Sequence, residues 1–91
     1  WIKFFKKSMD LIEIKSAIIE IIKRMKELSE FDESIKLIEG GLIDSFDVMN
    51  LVTKLQNKFN VSVDGEDLTS ENFMKVDDIA ELILRKLVNN G

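Results

Sequence analysis

The chain passes from its first half into its second at the run GGLIDSF, residues 40–46. The glycine pair closes a polar loop, two aliphatic residues turn inward, and Asp44 and Ser45 open a helical pattern. Asp and Ser favour helix starts because their side chains accept hydrogen bonds from the first helical amides. Those amides lack partners within the helix, and the helix dipole is positive there. This position therefore suits a phosphate ester as well as an ordinary structural cap.

Helical spacing of apolar residues predicts an all-α fold. Long helices are expected at about 11–28, 45–59 and 76–88, and a short helix or turn at 68–73. Asp10 and Glu13 have the spacing of a capping box at the first of these helices. Together they predict a small antiparallel four-helix bundle, with three long helices, one short helix and a long loop after the first helix.

Each long helix carries one apolar stripe with intervals of three and four residues, which predicts its buried face. In the first helix the stripe is Leu11, Ile14, Ile18, Ile21, Met25 and Leu28, widened by Ile12, Ile19 and Ile22. The other two stripes are Val48, Leu51, Val52, Leu55 and Phe59, and Val76, Ile79, Ala80, Ile83, Leu84 and Leu87. Outside the helices, Val61, Val63, Leu68 and Phe73 are expected to point inward.

Composition excludes several kinds of chemistry. The 91 residues, 45% hydrophobic and 33% charged, are typical of one small globular domain. Without cysteine or histidine there is no disulfide, thiolate nucleophile or Ser–His pair. The net charge of −4 disfavours a nucleic-acid backbone as partner. The acidic loop at 29–44 lacks the ligand spacing of an EF-hand, so no metal site is predicted.

Residues 1–8 combine aromatic side chains with Lys3, Lys6 and Lys7. They fit either a basic amphipathic anchor or residues from cloning or an upstream segment, and we favour the second interpretation. The predicted domain is then 9–91, starting at Met9, and its charge balance is 10 − 17 = −7. Deleting residues 1–8 is expected to leave the fold intact.

The run Gly-Leu-Ile-Asp-Ser-Phe at 41–46, followed by Leu51, Leu55 and Phe59, resembles the phosphopantetheine attachment region of acyl carrier proteins. The resemblance extends over nearly the whole chain from Met9. It implies that Ser45, flanked by Asp44, carries a covalent 4′-phosphopantetheine arm. The thiol of that arm would hold an acyl or aminoacyl group as a thioester, and the protein would have no catalytic residue of its own.

The resemblance also implies partners. A phosphopantetheinyl transferase would attach the arm from coenzyme A, and acyl- or amino-acid-activating enzymes would load it. In this family partners contact the second helix, so Phe46, Asp47, Met49 and Thr53 are the candidate partner-binding residues. Phe46 is expected to be partly buried, while Met49 suits either the core or a docking patch. A monomeric, cytoplasmic protein without a transmembrane segment is implied.

Departures from fatty-acid carriers narrow the interpretation. Phe46 stands where those proteins usually have leucine, and the exposed side of the second helix has few acidic residues. The chain looks more like D-alanyl and other free-standing aminoacyl carriers, which favours a small aminoacyl or short acyl cargo. An unmodified helical adaptor that binds a partner helix remains the alternative. Helix-turn-helix DNA binding is a distant third because the domain is acidic.

Overall fold

The fold is known from a computed structural model, which describes residues 10–90 apart from the side chain of Asn90. It contains three α-helices: α1, Leu11–Lys26; α2, Ser45–Phe59; and α3, Val76–Asn90. A short 3-10 helix, Gly65–Asp67, lies between α2 and α3, and residues 10–90 contain no strand. The predicted all-α class is confirmed. The predicted extension at 1–8 lies outside the described residues.

The core lies where α1 packs against both α2 and α3. Ile14, Ile18 and Ile22 of α1 are fully buried, because a spacing of four residues returns to nearly the same side of a helix. The predicted buried face of α1 was too wide. Ile12 is 75% exposed, since it lies roughly 160° around the helix from Ile14.

The buried faces of α2 and α3 largely follow the predicted stripes. The fully or almost fully buried residues of these helices are Leu51, Val52, Leu55, Phe59, Val76, Ile79, Ala80, Leu82 and Ile83. Val48, Leu84 and Leu87 pack against this core while remaining partly exposed. The face of α2 away from this core is therefore left to solvent.

The segment between α2 and α3 differs from the prediction. Residues 68–73 do not form an α-helix; they contain one turn, in which the Phe73 amide donates to the Thr69 carbonyl at 3.2 Å. Phe73 is buried as predicted, but Leu68 is 37% exposed. The 3-10 helix comes earlier because the Asp67 carboxylate accepts hydrogen bonds from the Asp64 amide at 2.8 Å and from Lys86 at 2.6 Å.

α1 ends at Lys26 because Glu27 adopts a left-handed backbone conformation with φ of 55°. The Lys26 ammonium lies 2.9 Å from the carboxylate of Asp47, near the start of α2. Earlier residues of α1, such as Ile21, border the same cleft as Lys58 near the end of α2. The two helices therefore run in opposite directions, which places the end of α1 beside the start of α2.

Candidate functional site

The start of α2 is fixed by reciprocal hydrogen bonds. The Asp44 carboxylate accepts a hydrogen bond from the Asp47 amide at 2.9 Å, and the Asp47 carboxylate accepts one from the Asp44 amide at 2.9 Å. This capping box satisfies two amides and leaves Ser45 as the first residue of the helix. The predicted helix start at Asp44 and Ser45 is confirmed. Ser45 is exposed, and its hydroxyl has no hydrogen-bond partner within residues 10–90.

The loop before α2 is held by the backbone of Leu37, a fully buried residue. Its carbonyl accepts hydrogen bonds from the amides of Leu42 at 2.9 Å and Ile43 at 3.0 Å. Its own amide donates to the carbonyl of Met74, in the segment before α3, at 2.8 Å. Ile43 is also buried, as expected of a residue that ties the serine to the core. The position of Ser45 therefore depends on contacts from both connecting segments.

The glycine pair is required by the same loop for two different reasons. A Cβ atom on Gly40 would lie 2.5 Å from the carbonyl oxygen of Lys36, which is far too close for a side chain. Gly41 has open space around it but adopts φ of 82°, which L-residues with side chains rarely adopt. Both glycines allow the tight turn that delivers Leu42 and Ile43 to Leu37.

Lys26 is a member of this site that sequence reasoning missed. Its ammonium donates to Asp47 at 2.9 Å, and both residues line the recess that contains Ser45. The hydrogen bond from Lys26 and the backbone amide of Asp44 lower the pKa of Asp47. The hydrogen bond to Asp47 in turn raises the pKa of Lys26. The only signal in the sequence was a basic residue in the last turn of α1, which equally suits the helix dipole.

The four predicted partner-binding residues follow Ser45 along α2. Phe46 is 85% exposed, so the expected partial burial was wrong; it lies roughly 140° around α2 from the buried Leu51. Met49 is 55% exposed, which places it on the surface rather than in the core. Thr53 is exposed and its hydroxyl donates to the Met49 carbonyl at 3.2 Å, whereas Asp47 is half-buried.

An apolar groove lies beside Ser45. It measures about 370 Å³ and runs between α2 and the segment that precedes α3. Its lining residues are Ile38, Ser45, Val48, Met49, Leu68, Thr69, Ser70 and Phe73. No pattern in the sequence indicated this groove beyond apolar residues in both connecting segments, because the groove forms only when those segments meet. An exposed hydroxyl thus lies at the edge of an apolar surface.

Two kinds of site are not found in the described part of the chain. No group of three or more acidic side chains within residues 10–90 is arranged to hold a metal ion. None of the helices there is long and apolar enough to cross a membrane.

Comparison with known proteins identifies the family. The family model for the phosphopantetheine attachment site matches residues 8–83. The chain belongs to this family. It is also similar to aminoacyl carrier protein 1 of Bradyrhizobium diazoefficiens, with 24% identity over 79 residues that cover 82% of this chain and 87% of the relative. The chain is therefore a carrier protein, and its prosthetic group is 4′-phosphopantetheine.

The start of α2 fits the phosphate of this prosthetic group. The backbone amides of Ser45 and Phe46 make no hydrogen bond to any residue in 10–90, so two donors remain at the positive end of the helix. Lys26 offsets part of the negative charge of Asp44 and Asp47 in the same recess. When bound, the group supplies the thiol that the cysteine-free chain lacks.

Proposed function

We propose that Ser45 is the residue that carries 4′-phosphopantetheine, and that Asp44 flanks the attachment point. The observation that carries the proposal is an exposed, unbonded hydroxyl on the first residue of α2. A phosphopantetheinyl transferase would transfer the arm from coenzyme A to this oxygen. The protein would then hold an acyl or aminoacyl group as a thioester on the arm and present it to partner enzymes.

Two other exposed serines fit this role less well. Ser34 already donates its hydroxyl proton to Asp32 at 2.6 Å. Ser16 lies inside α1, where neighbouring amides are used by the helix itself. Ser45 combines an exposed oxygen with open helix amides and an adjacent apolar groove. The serine that the sequence pattern singled out is therefore better supported by its surroundings than these two.

The test is intact mass after incubation with coenzyme A, magnesium and a broad-specificity transferase. The full chain is expected to gain the mass of one phosphopantetheine. Ser45→Ala should gain none and remain helical by circular dichroism, and Ser16→Ala should be modified like the parent protein. Attachment to another serine would refute the assignment of Ser45. A bare polypeptide in every reaction would instead favour the helical adaptor.

We further propose that the exposed side of α2 is where partner enzymes dock. Phe46 and Met49 are exposed apolar side chains in the first turns of α2, and Thr53 is exposed one turn after Met49. Asp47 lines the recess that contains Ser45. Aromatic and methionine side chains suit partner surfaces. The turn at 69–73 forms the other wall of the groove, in the place of the short helix that the resemblance implies. The transferase and the loading enzymes are the expected partners of a monomeric, cytoplasmic carrier.

The proposed cargo is a small aminoacyl or short acyl group. The similarity to an aminoacyl carrier protein supports it, as does the scarcity of acidic residues on exposed α2, where Lys54 and Lys58 are present. Enzymes that expect an acidic carrier surface would meet like charges there. We expect an amino-acid-activating enzyme from the same gene neighbourhood to load the modified protein, as measured by mass. Loading by a fatty-acid-loading enzyme alone would refute the cargo while leaving the carrier function intact.

A further inference from the structure

A second cleft lies between α1 and α2, further from the start of α2 than the groove beside Ser45. It measures about 380 Å³. Its lining residues are Ile21, Arg24, Met25, Lys54, Asn57 and Lys58. None of the six is acidic, although the whole chain has 17 acidic residues against 13 basic ones. The cleft is therefore a local basic surface on an acidic protein.

The three cations of this cleft have no acidic partner within residues 10–90. Arg24, Lys54 and Lys58 are exposed, and none forms an ion pair with another residue in 10–90. Elsewhere lysines do have such partners: Lys15 contacts Asp77 at 2.7 Å, and Lys86 contacts Asp67 at 2.6 Å. Charges that stabilise no internal contact remain available to an external partner.

Two of the lining residues are apolar. Ile21 and Met25, one turn apart on α1, are only half-buried and line the cleft together with the cations. Asn57, the residue before Lys58, adds a side-chain amide that can both donate and accept hydrogen bonds. The surface thus combines positive charge with apolar contact area, which suits a segment with both carboxylates and apolar side chains better than a simple inorganic anion.

The cleft lies on a different side of α2 from Ser45. Lys54 and Lys58 are nine and thirteen residues along the helix from Ser45, which corresponds to roughly 14 and 20 Å along its axis and to roughly 180° and 140° around it. A partner bound at Ser45 would therefore have to extend around α2 to contact the cleft as well.

We propose that this cleft binds an acidic, amphipathic protein segment of a partner enzyme. Its carboxylates would pair with Arg24, Lys54 and Lys58, and its apolar side chains would cover Ile21 and Met25. A nucleic acid fits poorly because the chain as a whole has a net charge of −4, which repels phosphates. The proposal extends the carrier function by assigning a second contact surface, and it does not depend on Ser45 being the attachment residue.

The test uses the full chain, isotopically labelled, and a synthetic amphipathic helical peptide with a glutamate face and a leucine stripe. We expect the peptide to shift the backbone resonances of the cleft residues in both α1 and α2, and to bind more weakly as salt is raised. The triple variant Arg24→Gln, Lys54→Gln, Lys58→Gln should weaken binding by about tenfold or more. Ser45→Ala should bind like the parent, which separates this result from the test of the attachment site.

The matched control is Lys36→Gln, Lys75→Gln, Arg85→Gln, which removes the same charge away from the cleft and should keep most of the affinity. Equal weakening in the two triple variants would overturn the proposal, as would resonance shifts confined to other surfaces or no binding at all. A peptide with glutamine in place of each glutamate should lose binding. If inorganic phosphate gives the same shifts and the acidic peptide does not bind better, the cleft is a small-anion site and the proposal fails.

Discussion

The starts of α1 and α2 use the same capping chemistry. Asp10 accepts a hydrogen bond from the Glu13 amide at 2.9 Å, and Glu13 accepts one from the Asp10 amide at 3.2 Å. Asp44 and Asp47 repeat this arrangement at α2. In both helices the second residue is an exposed apolar side chain, Ile12 in α1 and Phe46 in α2. The capping hydrogen bonds alone therefore do not explain why the start of α2, and not the start of α1, is the candidate site.

The difference lies in what surrounds each cap. At α2 the first residue is a serine, and the preceding loop is joined to the core through Leu37. Lys26 of α1 donates a hydrogen bond to the capping residue Asp47. The groove that borders Ser45 takes one wall from the segment before α3. At α1 the first residue is Leu11, which packs against the core. A functional helix start is thus distinguished by its tertiary neighbours.

The largest expected effect comes from Leu37, the buried residue that anchors the loop before α2. Leu37→Ala should lower the free energy of unfolding by about 2–5 kcal/mol, because it empties a fully buried position. Ile38→Ala, at the adjacent but 46% exposed position, should cost much less. Urea denaturation followed by circular dichroism measures both. Equal losses would mean that Leu37 is not the anchor of this loop.

The caps come next. Asp10→Ala and Asp44→Ala should each lower the unfolding free energy by about 1 kcal/mol, since each removes a capping hydrogen bond. Only Asp44→Ala should also slow modification by the transferase. Asp44→Asn keeps a capping oxygen and so separates the cap from the charge. If Asp10→Ala slowed modification as strongly as Asp44→Ala, the two starts would not differ in function.

Smaller effects on stability are expected from the exposed apolar residues at the second position of each helix, Ile12 in α1 and Phe46 in α2. Ile12→Ala and Phe46→Ala should each change the unfolding free energy by less than about 0.5 kcal/mol, because both side chains face solvent. Phe46→Ala should raise the KM of the transferase for the carrier by roughly fivefold, as expected of a residue worth about 1 kcal/mol at an interface. Unchanged kinetics would remove Phe46 from the docking face.

The smallest effect concerns the Lys26–Asp47 contact at the start of α2. The folded-state pKa of Asp47 is lowered, so its ionised form stabilises the fold above the unfolded pKa of about 4, and this contribution is lost as the pH falls through the folded pKa. The pKa of Lys26 is raised, so its contribution is complete below about pH 10 and is lost as the pH rises further.

Lys26→Gln should therefore melt slightly below the parent protein at pH 7. The difference in Tm should shrink as the pH falls through the folded-state pKa of Asp47 and disappear where Asp47 is protonated in both proteins. Lys36→Gln is the control, because Lys36 pairs only with its near neighbour Glu39 on the surface. A Tm difference between Lys26→Gln and the parent that stays constant as the pH is lowered would show that packing of the lysine stem, rather than its charge, is responsible.

The features that could be predicted from the sequence are local ones. The bounds of α2 were predicted correctly because Asp44 and the apolar stripe act within a few residues of one another. A short helix or turn was predicted at 68–73, and the structure has one turn there. The 3-10 helix lies earlier, where the Asp67 carboxylate is bound by the Asp64 amide and by Lys86 of α3.

What could not be predicted depends on residues that are far apart in the chain. The Lys26–Asp47 contact joins residues 21 positions apart, and the Leu37–Met74 hydrogen bond joins the two connecting segments. The groove beside Ser45 exists only where those segments meet. The exposure of Phe46, in contrast, could have been predicted. Its angle around the helix from the buried Leu51 follows from the spacing of the two residues alone.

The hydrogen bond from Leu37 to Met74 has a mechanical consequence. It lies one residue from Ile38 and one residue from Phe73, two residues that line the groove from different connecting segments. A cargo that moves these two segments apart would stretch this bond, and the carbonyl of Leu37 would pass the displacement to Leu42 and Ile43, just before the α2 cap. We therefore expect loaded and empty forms of the carrier to present Ser45 at slightly different angles, with exchange of the Leu37 amide hydrogen as the reporter.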